Sequence, residues 1–237
     1  MSTEDLAARG DVLARAKLRD RHYQRRLRRI LPFVLFLLAL AVTYTTNYIP
    51  SSSMEPTLKP GDHIVTMRQW IAYPFSRIPS RGDVIIFRLP QQQQNEMVQN
   101  YGASVAEDDT PEATGALAYL ESLRKNILIK RVVGLPGDSV QVTDNGVLIN
   151  GKPMKEDYKI IPVDPSGGDF PYAVDTPFKV PPGCVFVLGD NRNNSEDSRF
   201  WGALPRSAIL GKYICLMYHQ DVQETTDPAA PTGAGSD

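Results

Sequence analysis

The chain has 237 residues, 42% of them hydrophobic and 22% charged, with a formal net charge of −1. This ordinary globular mix excludes a wholly disordered or collagen-like chain, and the near-neutrality gives no global reason to expect a nucleic-acid partner. The balance conceals a local asymmetry: between Arg15 and Arg29 lie eight basic residues against the single acid Asp20.

Behind this basic arm (residues 1–29), residues 30–49 carry no charge. A helix of that length, at about 1.5 Å per residue, spans a bilayer core. Its last third, Thr43 to Tyr48, is polar and aromatic, as expected where a helix reaches a membrane interface. Basic residues before the span and few after it predict a cytoplasmic N-terminus, with everything beyond Pro50 outside. Two other readings stand beside a membrane anchor. One is a buried core helix, which the adjoining basic block disfavours. The other is a cleavable secretory signal, for which Ala39-Leu40-Ala41 supplies an A-x-A pattern. The long basic arm favours a retained anchor.

From Pro50 the pattern changes to short strands and turns. Residues 83–88, 126–133, 139–143, 147–150, 184–188 and 211–217 read as strands. Asn145-Gly146 carries a type I′ hairpin signal. The expected fold class is therefore mainly β, an antiparallel sheet or barrel-like domain over residues 50–220 behind one N-terminal transmembrane helix. Residues 91–125 break the pattern: four glutamines and an acidic run precede Thr110-Pro111, which fits the start of an inserted helix carrying Leu117, Leu120 and Leu123. The tail, 221–237, is rich in Pro, Thr, Gly and Ala and predicts disorder.

Both cysteines, Cys184 and Cys215, fall on the outer side, where a disulfide is permitted. Each sits in an apolar run, so buried free thiols are the plainer reading. Of three histidines, His22 belongs to the basic arm, while His63 and His219 stand at strand ends. No metal-ligand spacing occurs, and no metal or cofactor is expected. A hydrolase built on this chain needs a base other than histidine.

Three stretches carry candidate chemistry. Pro50-Ser-Ser-Ser-Met-Glu-Pro-Thr-Leu58 holds three hydroxyls between two prolines, a few residues past the apolar span; a serine-rich linker is the alternative. In 126–133, alternation puts Lys130 with Leu128 and Val132, and Arg131 with Ile127, Ile129 and Val133. One of the two basic residues must therefore face apolar neighbours or a cleft. A buried lysine loses solvation and its pKa falls; a fall from about 10.4 to near 8 costs roughly 3 kcal/mol. The neutral amine can then accept a serine proton, which arginine cannot do. The alternative is a lysine whose amine reaches water. The third stretch, residues 189–202, is a dense polar loop that reads largely as a surface loop braced by Asp–Arg pairs and side-chain-to-backbone bonds.

Together, Pro50–Leu58, Arg81-Gly-Asp-Val-Ile-Ile-Phe87, Lys130-Arg-Val-Val-Gly-Leu-Pro-Gly-Asp138 and Gly189-Asp-Asn-Arg-Asn-Asn-Ser-Glu-Asp-Ser-Arg199 resemble, in order, the motifs of the bacterial type I signal peptidase (leader peptidase) family. The resemblance implies a Ser/Lys endopeptidase of the bacterial cytoplasmic membrane that removes signal peptides after Ala-x-Ala sites. It implies Ser53 as nucleophile and Lys130 as general base, with the Ser51 hydroxyl joining the Ser53 N–H as oxyanion hole. Ser195 is implied to orient the lysine, and Asp197 and Arg199 to support the loop. The implied partners are preprotein signal peptides and the lipid bilayer, not nucleic acid. Some relatives have two spans and a larger second β domain, for which this chain has little room. A specialised Ser/Lys maturation peptidase, or an inactive paralogue acting as a scaffold, are the alternatives.

Overall fold

The computed structural model describes residues 28–95, 127–163 and 176–221, together with Tyr23 and Arg26. The basic arm, the expected inserted helix and the expected disordered tail fall almost wholly outside these residues. The chain divides into two compact units, Met1–Thr45 and Thr46–Asp237.

In the first unit, residues 28–43 form a helix, α1. Its apolar side chains are uncovered, from 40% exposed at Leu40 to 61% at Phe33. Among the described residues, no helix is long and apolar enough to cross a membrane. The apolar helix expected over 30–49 ends earlier, because Tyr44–Tyr48 is a strand, β1. Two adjacent threonines and flanking tyrosines favour extended backbone, and Asn47 Nδ2 donates to Thr66 Oγ1 at 2.8 Å. The polar, aromatic end of the stretch is spent on a sheet.

The second unit is mainly antiparallel β. Its further strands are β2 (Asp62–Arg68), β3 (Val84–Arg88), β4 (Ile127–Gly134), β5 (Ser139–Thr143), β6 (Gly146–Ile149) and β7 (Lys152–Pro153). They continue with β8 (Phe178–Lys179), β9 (Cys184–Leu188), β10 (Leu204–Pro205) and β11 (Ile209–His219). One sheet has the order β1-β2-β11-β3-β4-β9-β10; a second, smaller one has β7-β6-β5-β8. Strands β1 and β10 end the larger sheet, so the expected barrel-like arrangement stops short of closure among the described residues.

Strand β3 explains why the middle of this sheet is stable. Ile85 and Phe87 point into a cluster with Val132, Val187 and Leu204, while Val84 and Ile86 point into another with Met54, Leu58 and Ile64. A continuous apolar run thus fills both faces, and each such side chain contributes about 1.5–3 kcal/mol on burial. Strand β4 lies beside β3, with Ile85 opposite Lys130 and Val84 opposite Arg131. Phe186 and Leu188 of β9 join Val140, Val142 and Val147 in a third cluster, which ties the smaller sheet to the larger.

Three local expectations change. The 139–149 hairpin forms, with Thr143 opposite Gly146. Its positive φ, however, falls on Gly146 and on neither Asp144 nor Asn145, so the turn is not type I′. The glutamine run, read as the start of an insertion, begins inside the fold. Residues 91–95 form a helical turn, α2, in which Gln93 Nε2 donates to the Trp201 and Ala203 carbonyls at 3.0 and 2.9 Å. The cysteines are free thiols, but Cys215 is exposed and not buried. Strands β3 and β4 separate β11 from β9, and three strand spacings of about 4.8 Å each exceed any disulfide reach.

Candidate active site

Ser53 sits in a 3₁₀ turn, Ser52–Met54, directly after Pro50. Met54 and Leu58 are fully buried and hold the turn against the core, while the Leu58 N–H donates to the Met54 carbonyl at 2.9 Å. Lys130 comes from the middle of β4. Its amine lies 2.8 Å from Ser53 Oγ, across 77 positions of sequence. The lysine is 3% exposed and the serine 8%.

Burial pushes the Lys130 pKa down from 10.5 to about 8. The carboxylates of Asp197, Glu196 and Asp190 oppose that fall, and the Arg199 guanidinium assists it. Desolvation prevails because no carboxylate contacts the amine directly. An amine with a pKa near 8 is neutral often enough at neutral pH to accept a proton from a neighbouring hydroxyl, and its protonated form is acidic enough to give the proton up again.

Ser51 Oγ lies 3.3 Å from Ser53 Oγ, so the hydroxyl expected to serve an oxyanion is beside the serine expected to attack. Ser195 differs from expectation. Its Oγ is buried without a hydrogen-bond partner, so the expected bond to Lys130 is not made in this structure. The amine is engaged by Ser53 instead. Ser195 packs against Gly189, where a Cβ would collide with Ser195 Oγ and the Ser53 carbonyl; only glycine fits there.

The support expected from Asp197 and Arg199 takes a bidentate form: Arg199 Nε donates to Asp197 Oδ1 and Nη2 to Oδ2, both at 2.8 Å. Asp197 also accepts from the Gly189 N–H at 3.0 Å and caps the short helix α3 (Ser198–Trp201) by accepting from the Arg199 N–H. Burial raises its carboxyl pKa, yet Arg199 and these bonds hold it below the usual carboxylate value. Glu196, half-buried between the two, is pushed up by burial.

Sequence reasoning gave no role to Arg131, Asp190, Asn191 or Asn194. Alternation required one basic residue of β4 to be buried, and both are: Arg131 is 7% exposed. It grips Asp190 with two bonds, Nε to Oδ1 at 2.7 Å and Nη2 to Oδ2 at 2.6 Å, and stacks over the Tyr158 ring at 3.9 Å. Thr57 Oγ1 donates to the same carboxylate at 2.5 Å. Next along the loop, the Asn191 N–H donates to the Ser53 carbonyl at 3.1 Å, and Asn194 Nδ2 to Ser52 Oγ at 2.8 Å. The loop read as a braced surface feature is a largely buried cradle for the Ser52–Met54 turn. Its three asparagines among six residues were the available signal, since an amide can serve both a carbonyl and a hydroxyl.

His63 and His219 stay out of this site. His63 stacks on Tyr218 at 4.3 Å, and His219 Nδ1 lies 2.7 Å from Asp62.

A family model described as signal peptidase, peptidase S26, matches residues 23–218. The chain is 40% identical to the signal peptidase I of Leptolyngbya laminosa over 71% of its own length and 66% of that protein's. It is 35% identical to the signal peptidase I of Mycobacterium tuberculosis (80% of this chain, 70% of that protein). With the signal peptidase I of Aquifex aeolicus it shares 31% identity over 83% of this chain and 86% of that protein. A crystal structure of a signal peptidase I from Enterococcus faecalis overlaps 57% of the chain and 96% of that structure at 26% identity, with a TM-score of 0.34, too low to bear on the fold.

Proposed function

The chain belongs to the signal peptidase family, peptidase S26, and from that premise we propose that it is a membrane-bound serine endopeptidase that removes signal peptides from exported preproteins. One observation carries the proposal beyond family membership: a buried lysine amine 2.8 Å from a serine hydroxyl. A structural lysine would turn its amine to water or to a carboxylate; this one meets the serine.

In the reacting state Lys130 is neutral and the Ser53 hydroxyl donates to it. As Ser53 Oγ attacks the scissile carbonyl, its proton passes to Lys130 Nζ, and the carbonyl oxygen takes the negative charge. The Ser53 N–H and the Ser51 hydroxyl receive that oxyanion, an interaction usually worth a few kcal/mol per donor. Collapse expels the signal peptide's partner, the mature chain, as an amine that takes the lysine's proton and leaves an ester on Ser53. Lys130, neutral again, takes a proton from water as the water oxygen attacks the ester, and collapse frees the signal peptide as a carboxylic acid while Ser53 Oγ takes the proton back from Lys130. Asp197 and Arg199 keep the loop in place and take no proton. Cleavage after small residues of the Ala-x-Ala type belongs to this proposal as what the family resemblance implies.

The uncharged stretch 30–49 and the basic arm before it, as sequence, support a single-pass anchor with its N-terminus in the cytoplasm and the active site on the outer face of a bacterial cytoplasmic membrane. The test is cleavage of a preprotein with an Ala-x-Ala site, by wild type, Ser53→Ala and Lys130→Ala, in detergent between about pH 6 and about pH 10. Product from wild type alone, increasing with pH through an alkaline limb, supports the assignment. Equal cutting by both variants overturns the dyad.

A further inference from the structure

Residues 154–163 leave the smaller sheet after β7 and run as a strap to the 189–199 loop of the site. The start of the strap is fixed to the smaller sheet. The Met154 N–H donates to the Val147 carbonyl at 2.8 Å, and the methionine packs against the third apolar cluster. The far end is fixed to the loop. The Ile161 N–H donates to the Asp190 carbonyl and the Ile161 carbonyl accepts from the Arg192 N–H, both at 2.9 Å, which makes a parallel bridge to Asn191. Asn193 Nδ2 donates to the Pro162 carbonyl at 2.8 Å.

Between these two ends, alternation turns Glu156 and Tyr158 to one face. The other face carries Lys155 and Asp157, an exposed pair of the kind that contributes little. On the inner face, Glu156 pairs with Arg192, whose side chain is 2% exposed. Arg192 Nε in turn donates to the Gly189 carbonyl at 2.9 Å. The same Glu156 oxygen accepts from the Tyr158 hydroxyl at 2.7 Å, and the Tyr158 ring lies 3.9 Å from the Arg131 guanidinium. Burial and the neighbouring carboxylate push the tyrosine pKa up, so the hydroxyl keeps the proton it donates.

Both contacts fall on the parts that bring serine and lysine together. Arg131 follows Lys130 on β4 and grips Asp190. The loop stretch from Gly189 to Arg192 holds the serine's turn, through the Asn191 N–H on the Ser53 carbonyl and the Asp190 carboxylate on Thr57. Ser53 and Lys130 come from separate elements, so their 2.8 Å contact depends on how those elements are held against each other. A displacement of about 1 Å at such a contact can cost a hundredfold in rate.

We propose that Tyr158 and Glu156 are positioning residues for the Ser53–Lys130 pair, the ring holding Arg131 and the carboxylate holding Arg192, so that a strap from the smaller sheet sets the approach of serine to lysine. The inference rests on the proposed peptidase and gives the smaller sheet a part in its rate.

The test measures kcat and KM for a preprotein with an Ala-x-Ala site, using the full chain in detergent across the alkaline limb of its pH profile. Tyr158→Leu keeps apolar bulk and removes the ring. It is expected to lower kcat by about tenfold or more, with KM within about twofold of wild type. Tyr158→Phe keeps a ring over Arg131 and is expected to recover most of that loss. A loosened clamp also admits water to Lys130, whose pKa is depressed by burial, so the Tyr158→Leu limb is expected to move to higher pH. Asp197, Glu196, Arg199 and Asp190, the charges acting on the amine, are all retained in that variant. Glu156→Gln breaks the other contact and is expected to shift kcat and the limb the same way, less far; it decides the matter should Tyr158→Leu not fold. Ile209→Ala, in the cluster around Phe87, is a destabilised control expected to keep the wild-type kcat and profile under folding conditions.

Wild-type kcat and profile in Tyr158→Leu, or an equal loss in Tyr158→Phe, would overturn this inference and leave the proposed function standing. So would a matching kcat loss in Ile209→Ala, since the strap would then only hold the fold. If the wild type does not cleave, the proposed function falls and takes the inference with it.

Discussion

Two neighbouring clusters of polar side chains are buried to the same depth and built on opposite terms. Around Arg131–Asp190 and Asp197–Arg199, every charge meets an opposite charge in two-point contact, and spare donors reach carbonyls. A few residues away, among the described residues, Lys130 has no carboxylate partner and Ser195 Oγ has no hydrogen-bond partner. The paired cluster gains rigidity, because removing one member of a buried pair strands the other. The unpaired cluster keeps its groups under-solvated, which is the condition for a lysine that gives up its proton near neutrality. A satisfied framework holds an unsatisfied centre in place, and neither could be exchanged for the other without loss.

Breaking the reactive half should have the largest effect. Ser53→Ala or Lys130→Ala is expected to lower kcat by about 10³-fold or more with little change in KM, measured on preprotein cleavage. An intact rate in either variant would remove the distinction between the two clusters. Breaking the framework should appear in stability. Arg199→Met leaves Asp197 buried and alone and is expected to cost about 3–5 kcal/mol by denaturant unfolding. Arg199→Lys should recover little of this, because an ammonium cannot make the two-point contact.

The comparison sharpens when the same lysine is read as a stability element. Its folded pKa, about 8, lies below its ordinary value of 10.5. Below about pH 8 both folded and unfolded chains carry the proton, and the burial penalty is felt in full, on the order of 3 kcal/mol. Between the two values the unfolded chain binds more protons, so stability climbs with pH and the penalty is gone above about 10.5. Lys130→Met is therefore expected to unfold at higher denaturant than wild type at pH 7, with the advantage vanishing as pH rises. An advantage that persists at high pH would mean that packing, not charge, is responsible. Smallest of all should be Ser195→Ala. Its hydroxyl bonds to nothing, so stability should stay within about 1 kcal/mol or improve. A larger loss would show that this hydroxyl has a partner in solution.

The order and spacing of apolar runs made the sheet legible. Strands β5 and β9 match their expected limits, because each is bounded by a turn signal and filled with valine or phenylalanine. Residues 44–48 were misread because a threonine-rich stretch with tyrosines suits a membrane interface and a strand edge equally; pairing with β2 decides, and pairing is not local. Cys215 was misread for a related reason. Its apolar neighbours implied burial, but the second half of β11 runs past its pairing with β3, which ends at Lys212, and is flanked there by β2. In the site, Ser53 and Lys130 were legible as residue types in telling surroundings. The framework was not, because Arg131, Asp190 and Asn194 look like ordinary surface residues until the fold brings β4, the nucleophile's turn and the 189–199 loop together.

The 77 positions between Ser53 and Lys130 have a consequence in time. Neither residue is of use until β3, β4 and β9 have paired, and the ion pair that braces them joins residues another 59 positions apart. Contacts of such long range form late, since distant parts of the chain must first be brought together. On the proposed mechanism, a half-folded copy would carry Ser53 without Lys130 beside it and would not cut. The order in which the sheet assembles would then do the work that a removable propeptide does in other proteases, delaying the onset of cutting until Ser53 and Lys130 meet.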